Sequence, residues 1–297
     1  MNNYFELNIN INPEVEEIVS DIFFTNFDCE GVVLEEETYK DLEMISTTRG
    51  RLKVFLTSYP ANLKEILSTE RELMKSRGLT DEELGSWEIT LDEKENQDWS
   101  KKWKEKWTVT HVTDKIAVVP SWLDYEPKQN EITITLDPGC AFGTGTHQTT
   151  QLCMKALEKY LKKGDSVADI GTGSGILAIL AKKLGASRVY GCDIDETVIN
   201  VCRENAVING VEVAFELNTA DKITEQYDFV CANILHFVLA EIMGDLKNIT
   251  KPNGLISLSG ILDEKKDMVL DAIRRENLKI IDTISQDQWI SYVVQKG

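Results

Sequence analysis

Residues 166–185 read SVADIGTGSGILAILAKKLG, and this stretch decides the fold of the second half of the chain. Its first five residues have the apolar character of a buried strand in a parallel sheet. Gly171, Gly173 and Gly175 follow directly, and the residues after them have the composition of a helix. Because glycine lets the backbone turn tightly and lets a ligand approach closely, the stretch predicts a strand, a binding turn and a helix.

Strands and helices alternate from about residue 109 onwards, which indicates a parallel sheet flanked by helices. The last segment, residues 278–297, holds two strands that are too close in sequence for a helical crossover, so we expect an antiparallel hairpin at one edge of the sheet. The other predicted strands are residues 188–195, 211–217, 227–233 and 254–260, and a helix is predicted over 196–210. The sequence therefore predicts an α/β domain over residues 111–297.

The first part of the chain has a different organisation. Predicted strands at 4–11, 31–37, 51–58 and 87–93 and predicted helices at 13–27 and 61–78 give the order βαββαβ of a ferredoxin-like α+β domain over residues 1–92. A linker helix over residues 93–110 is predicted from NQDWSKKWKEKW, in which Trp99, Trp103 and Trp107 are four residues apart. This aromatic stripe is either a docking surface or the packed face of a connecting helix.

Composition limits the classes of function. The 297 residues include 32 Lys and Arg against 50 Asp and Glu, a formal net charge of -18, which disfavours nucleic acid as a partner. The charge either attracts a basic partner or only keeps the protein soluble. Six cysteines without C-x-x-C spacing indicate neither a zinc site nor a disulfide framework, and no signal peptide or membrane span is apparent. We expect a cytoplasmic monomer with no metal and no membrane partner.

A nucleoside cofactor is predicted from the glycine turn and the strand after it. Asp193 follows Gly171 by 22 residues, at the end of the next strand, where a carboxylate accepts both ribose hydroxyls. The order G-T-G-S-G-I differs from the dinucleotide pattern G-x-G-x-x-G, and no Lys-Ser or Lys-Thr follows as in a phosphate loop. Five strands and an edge hairpin suit a methyltransferase sheet better than a dehydrogenase. The alternative is a purely structural turn.

A second glycine-rich segment, DPGCAFGTGTHQTT at residues 137–150, is too polar and flexible for a core strand or an ordinary helix. We expect it to line the same cofactor site, with Gly143 and Gly145 allowing close approach of the backbone. The alternative is an ordinary surface connection.

These segments together resemble the bacterial methyltransferases of ribosomal protein L11. The resemblance rests on DPGCAFGTGTH, DIGTGSGILAI, GCDID, ANIL, DWSKKWKEKW and VPSW, and it spans essentially the whole chain. It implies a ferredoxin-like substrate-recognition domain, a linker helix and a Rossmann-like seven-stranded methyltransferase domain. It also implies transfer of methyl groups from S-adenosylmethionine to the N-terminal amine and lysine ε-amines of the L11 protein.

The resemblance assigns roles to particular residues. Asn233 is expected to orient the acceptor amine and to contact the cofactor, although asparagine also caps helices well. His147 is either a base or hydrogen-bond donor in catalysis or a plain structural donor, and His111 is expected to be structural. The cofactor residues are expected to be Phe142, Thr146, Thr150, Gly171, Gly173, Gly175, Asp193 and Asn233.

Three positions depart from the family pattern. Gln148 stands where the family usually has Pro, Thr172 where it usually has Cys, and His236 where it usually has Ala. His236 lies near the expected substrate entry, so this substitution bears on which amine the protein accepts. Two other hypotheses remain open: an enzyme of this fold that methylates another protein's lysine or a small amine, and a non-catalytic cofactor-binding interaction module.

Overall fold

The computed structural model describes residues 4–37, 49–76, 78–94, 107–136 and 144–297. The chain divides into two compact units, and the boundary lies between Trp107 and Thr108. Trp99, Trp103, Phe142 and Gly143 lie outside the described residues. Among the described residues, no helix has the length and apolar content that crossing a bilayer requires.

The first unit contains an antiparallel sheet of four strands in the order β2–β3–β1–β4. Alternate residues of β1, namely Leu7, Ile9 and Ile11, are buried, as their apolar alternation predicts. The short helix α3 is an addition to the predicted order of elements. The elements are β1 (Tyr4–Ile11), α1 (Glu16–Asn26), β2 (Cys29–Glu37), β3 (Arg49–Leu56), α2 (Leu63–Ser76), α3 (Asp81–Leu84) and β4 (Ile89–Lys94).

The predicted linker helix over residues 93–110 is wrong at both ends, and its first two residues, Glu93 and Lys94, belong to β4. Residues 107–109 are in neither a helix nor a strand, and Thr110 begins a strand, β5 (Thr110–His111). The segment TVTHV is rich in β-branched residues, which lose side-chain freedom in a helix and favour extended backbone. Trp107 therefore lies outside a helix.

The second unit is built on a seven-stranded sheet in the order β10–β9–β8–β11–β12–β14–β13, which confirms the predicted α/β class. β14 runs antiparallel to both of its neighbours, β12 and β13. With β13, which lies at the edge of the sheet, it forms the predicted hairpin. The strands are β8 (Ser166–Ile170), β9 (Arg188–Asp193), β10 (Ala214–Leu217), β11 (Tyr227–Asn233), β12 (Thr250–Leu262), β13 (Lys279–Gln286) and β14 (Trp289–Gln295).

Helices cover both faces of this sheet, so its central strands are buried on both sides. One apolar cluster joins the sheet to α4 (Gln148–Tyr160), α5 (Ile176–Lys183) and α6 (Glu196–Ile208). The other cluster joins it to α7 (His236–Asn248) and α8 (Lys266–Arg275). The carboxyl ends of β8, β9 and β11 lie side by side, and ligands of open α/β sheets bind at this edge.

A small additional sheet was not predicted from the sequence. It contains β5, β6 (Ile116–Pro120) and β7 (Ile132–Leu136), with β6 parallel to β7. Asn209, at the end of α6, binds both backbone groups of Thr135 in β7, accepting from its N–H at 2.9 Å and donating to its carbonyl at 2.6 Å. This side-chain pairing connects the small sheet to the main α/β layer.

The expectation that residues 137–150 form a loop is wrong at its end. Helix α4 begins at Gln148, so Thr149 and Thr150 lie in its first turn and are buried. His147 is the N-cap, and its ring nitrogen accepts a hydrogen bond from the Thr149 N–H. Histidine is an uncommon N-cap, so the usual Ser, Thr, Asp or Asn signal for a helix start is missing here.

Gln148→Pro is expected to leave the fold intact. Gln148 is the first helical residue, where proline is favoured because that N–H has no partner within the helix. His147 has φ -70° and ψ 142°, which a residue before proline adopts readily. The exposed bond from Gln148 Nε2 to Asp287 Oδ2, 3.3 Å, is lost. We expect urea unfolding to show a change within about 1 kcal/mol.

Gln151→Pro is the contrasting variant, because the Gln151 N–H donates to the His147 carbonyl at 3.1 Å. Its loss is expected to cost about 3 kcal/mol. Equal stability of the two variants would contradict the assigned start of α4.

Candidate active site

The glycine turn follows β8 and lies beside the end of β9. Gly171, Gly173 and Gly175 have φ values of +69°, +52° and +81°, in the left-handed region that glycine adopts easily. The Gly171 and Thr172 N–H groups donate to the Cys192 carbonyl at 2.9 and 3.0 Å. These two bonds fix the turn against the last residues of β9.

At two of the three glycines, a side chain would also overlap a neighbouring residue. A Cβ on Gly175 would lie 2.8 Å from the Cys202 Cβ in α6, and a Cβ on Gly171 would lie 2.5 Å from Ile234 Cγ2. All three glycines are predicted to contact the cofactor. The structure adds that Gly175 allows α5 and α6 to approach, and its cofactor contact stays a prediction.

Asp193 lies at the end of β9, next to the glycine turn, and its carboxylate is held by backbone donors. Oδ2 accepts from the Gly173 N–H at 3.1 Å, and Oδ1 accepts from the Ile194 N–H at 2.7 Å. Burial raises the pKa of this carboxyl, and the backbone hydrogen bonds oppose that rise. The structure thus brings the predicted turn and the predicted acid into direct contact.

The segment that precedes α4 lies against the helix that the glycine turn opens. A Cβ on Gly145 would lie 2.9 Å from Ile176 Cδ1 at the start of α5 and 2.8 Å from Val118 Cγ2. Thr146 is exposed, and its hydroxyl lies 2.8 Å from that of Thr144. The described end of the second glycine-rich segment therefore meets the first one, and Thr146 has an accessible hydroxyl.

Asn233 and Thr150 form the polar centre of this edge. Asn233 ends β11, and its Nδ2 donates to Thr150 Oγ1 at 3.2 Å. Asn233 is only 6% exposed, and its Oδ1 has no hydrogen-bond partner in the described part of the chain. A buried acceptor without a donor costs about 1–3 kcal/mol, so this oxygen is suited to receive an N–H from a bound molecule.

His147 is neutral and its Nδ1 is occupied. Nδ1 accepts from the Thr149 N–H at 3.3 Å and lies 2.7 Å from the Thr149 hydroxyl. Burial lowers the pKa of this imidazole to about 4, and the ring packs edge-on against Trp289 at 4.9 Å between centroids. These contacts favour the structural role over the base. A catalytic role for His147 as a donor stays a prediction.

The other candidate ligands form no metal centre. No group of three or more His, Cys, Asp or Glu side chains with metal-binding geometry occurs in the part of the chain that the structure describes. Cys153, Cys192, Cys202 and Cys231 are buried and form no disulfide within the described part of the chain, and burial raises the pKa of Cys153 and Cys192 to about 12. The Nδ1 atom of His111 lies 3.3 Å from Glu131 Oε1. Both residues come well before the glycine turn in the sequence.

A family model described as "Ribosomal protein L11 methyltransferase (PrmA)" matches residues 3–297. The chain belongs to this family. The family membership confirms the resemblance drawn from the sequence motifs.

Individual relatives match over nearly the full chain. The ribosomal protein L11 methyltransferase of Caldicellulosiruptor saccharolyticus is 34% identical over 305 residues, covering 99% of each chain. That of Dictyoglomus turgidum is 36% identical over 298 residues, covering 98% of each. A crystal structure of the ribosomal protein L11 methylase from Lactobacillus delbrueckii subsp. bulgaricus has a TM-score of 0.61 and 34% identity, and covers 64% of this chain and 100% of that one.

Three positions depart from the usual L11 methyltransferase pattern, and at two of them, Gln148 and Thr172, the structure shows how the residue is accommodated. Gln148 occupies the first helical position, where proline is favoured for the reason given above. Thr172 donates its hydroxyl to Asp169 Oδ2 at 2.8 Å. His236 begins α7, is buried, and packs edge-on against Phe237 at 5.5 Å.

Asp169 is a residue of the site region that the sequence analysis did not assign. It lies in β8, two residues before the glycine turn, and is 1% exposed. Burial raises the pKa of its carboxyl to about 7, against the opposing effect of the Thr172 hydrogen bond. The sequence signal for Asp169 is an acidic residue within an otherwise apolar strand, because acidic side chains are rarely buried unless they are paired.

Asp169→Asn is expected to change how stability depends on pH. The folded pKa of about 7 lies above the unfolded value of about 3.9, so the folded state keeps a proton that the unfolded state loses between these values. The stabilising contribution of this proton is present below about pH 4 and is lost as the pH rises to about 7. Relative to the variant, the wild type should lose up to about 4 kcal/mol across this window in urea unfolding.

His147 makes the free energy of unfolding change with pH in the opposite direction, because its folded pKa of about 4 lies below the unfolded value of 6.5. It is present in both proteins and cancels in their difference. Parallel curves for the two proteins would contradict the assignment of a raised pKa to Asp169.

Proposed function

We propose that this chain transfers methyl groups from S-adenosylmethionine to amino groups of ribosomal protein L11, at the N-terminal amine and lysine ε-amines. Membership of the L11 methyltransferase family supports the reaction and the substrate. The observation that carries the proposal for the site is the buried Asn233 Oδ1 at the carboxyl end of β11, an acceptor to which the described residues supply no donor. An incoming amine supplies the N–H that this oxygen lacks.

The residues around the glycine turn fit the proposed cofactor. Asp193 faces the turn with a carboxylate suited to ribose hydroxyls, and Gly171 and Gly173 give the turn its left-handed backbone. Thr146 and Thr150 offer hydroxyls to the charged methionine end. Gly175 and Phe142 complete the proposed set. Bound there, S-adenosylmethionine supplies an electrophilic methyl group.

The protein's own contribution is orientation of the amine. Methyl transfer is an in-line displacement, so positioning of the nitrogen lone pair supplies much of the rate. Asn233 Oδ1 accepts one N–H and thereby directs the lone pair. The amine must be neutral to attack, and its reference pKa is about 10.4 for lysine and 7.7–8.0 for an α-amine. An apolar channel beside a sulfonium lowers either value.

No strong base is assigned to the reaction. His147 holds its Nδ1 against the Thr149 N–H and has a pKa of about 4, so it is a weak proton acceptor at neutral pH. Water takes the proton in this proposal. Transfer to a lysine of another protein or to a small amine uses the same site, and labelling of a lysate with methyl-labelled cofactor identifies the acceptor.

Charge on residues 1–92 supports a basic protein as the partner. This segment has 20 Asp and Glu against 8 Lys and Arg, a difference of -12 out of the total of -18. Ribosomal proteins bind RNA phosphates and are accordingly basic, so attraction to this segment speeds their encounter. We therefore propose residues 1–92 as the recognition domain of a cytoplasmic monomer, with no role for nucleic acid or membrane.

Asn233→Ala and Asp193→Ala are expected to impair different steps, methyl transfer in the first variant and cofactor binding in the second. Asn233→Ala should lower the single-turnover rate of methylation of purified L11 protein more than it weakens cofactor binding. Asp193→Ala should mainly weaken binding of S-adenosylmethionine in calorimetry, since each hydrogen bond to a charged group contributes about 1.5–3 kcal/mol. Weaker cofactor binding with a normal rate at saturation in Asn233→Ala would contradict its role.

Neutralising acids on the first unit should weaken capture of the substrate. Glu65 and Glu82 are exposed on the first unit, and Glu204 and Glu212 are exposed on the second. Glu65→Gln with Glu82→Gln should raise KM for L11 protein by about two- to fivefold at low salt, because each exposed charge contributes up to about 1 kcal/mol. The effect should shrink at physiological salt.

The matched control is Glu204→Gln with Glu212→Gln, which changes the net charge equally. An identical rise of KM in both pairs would mean that total charge, and not the first unit, attracts the substrate.

A further inference from the structure

Strand β12 runs beside Asn233 and becomes irregular there. Its Ser259 is the parallel partner of Asn233 in β11. The pairing of β12 with β14 shifts register between Leu258 and Ile261, and Gly260 within this shift has φ +86°. Ser259 and Gly260 therefore form a local break in the sheet next to the proposed amine site.

The Ser259 hydroxyl connects this break to helix α4. Ser259 is 0% exposed, and its Oγ donates to the Thr149 carbonyl at 2.9 Å. The next residue, Thr150, accepts from Asn233 Nδ2. A chain of contacts thus runs from Ser259 through the first turn of α4 to the side-chain amide of Asn233.

Gly260 constrains the backbone that follows Asn233. A Cβ at this position would overlap the Ile234 carbonyl oxygen and would lie 2.8 Å from the Ile234 carbonyl carbon. Gly171 packs on the side chain of the same residue, as described above. Asn233 is therefore held through its amide by α4 and through the next residue by two glycines.

We propose that Ser259 is a positioning residue for methyl transfer. The terminal torsion of asparagine is broad and nearly two-fold, so only a fixed partner for Nδ2 keeps Oδ1 directed at the amine. Ser259 fixes the turn of α4 that presents this partner, the Thr150 hydroxyl. Without it, the amide is free to turn its Nδ2 toward the amine, and an N–H donated to the amine nitrogen would occupy the lone pair that must attack the methyl group. The inference rests on the proposed role of Asn233.

Ser291 provides a matched control for Ser259. It is also 0% exposed, and its Oγ donates to a backbone carbonyl of β12, that of Leu258, at 2.8 Å. Its bond is of the same kind and burial, but it connects β14 to β12 without reaching α4. Ser291→Ala and Ser259→Ala should therefore lose similar stability and differ only in catalysis.

The test is single-turnover methylation of purified L11 protein at saturating S-adenosylmethionine by the full-length chain. We expect Ser259→Ala to be slower than wild type by about ten- to a hundredfold, as for small misplacements of reacting groups. Ser291→Ala should stay within about twofold of wild type, and saturating cofactor keeps any change of cofactor affinity out of the comparison of rates. Equal rates for Ser259→Ala and Ser291→Ala would overturn the inference.

A double-mutant cycle with Thr150→Val tests the route of the effect. Thr150→Val keeps the shape of the side chain and removes the acceptor for Asn233 Nδ2. If Ser259 acts through Thr150, the double variant is scarcely slower than the slower single variant. Additive losses in rate would place the effect of Ser259 elsewhere and overturn the inference.

Asn233→Ala in the same assay separates the two proposals. A slow Asn233→Ala together with a fast Ser259→Ala removes only the positioning role of Ser259. A fast Asn233→Ala removes the proposed role of Asn233 and the positioning role with it.

Discussion

Ile234 packs against two glycines whose replacement by any larger residue would overlap it, and the polar edge of the sheet depends on this packing. Gly171 accommodates its side chain and Gly260 its carbonyl. Both glycines adopt left-handed backbone that other residues reach only with strain. The residue before Ile234 is Asn233, so steric contact at one apolar residue fixes the end of β11. Gly171 and Gly260 thus have a packing role, which for Gly171 comes in addition to its predicted contact with the cofactor.

Burial shifts the pKa of several ionisable groups near this edge in the direction that favours the uncharged form. It lowers the pKa of His147 to about 4 and raises that of Asp169 to about 7 and that of Cys192 to about 12. Since charge is costly in such surroundings, hydrogen bonds from fixed donors and acceptors do the orienting. This environment agrees with the proposed chemistry, in which the acceptor must be a neutral amine and no strong base takes part.

Contacts over long sequence separations support the start of α4, which carries Thr150. Trp289 in the edge hairpin packs on His147, and Gln286 Nε2 donates to Gln151 Oε1 at 3.1 Å. Asp287 at the hairpin turn accepts from Gln148. The antiparallel hairpin therefore does more than complete the sheet, because it fixes the helix that presents Thr150 to Asn233.

The sequence by itself determined the α/β class, the order of the main strands, the edge hairpin and the glycine turn followed by Asp193. These features depend on local patterns, since apolar strands, left-handed glycines and turn spacing are properties of short segments. The start of α4 was not predictable, because its N-cap is a histidine and two of its first three residues are threonines, whose β-branched side chains lower helix propensity. Only the tertiary structure showed that Asn233 Oδ1 is buried with no donor among the described residues, that Asp169 is enclosed, and that Ser259 reaches Thr149. The Asn233–Thr150 and Ser259–Thr149 contacts join residues 83 and 110 positions apart, and Asp169 is enclosed because β9 and β11 pair on either side of its strand. Local sequence patterns carry no information about which distant segments meet in this way.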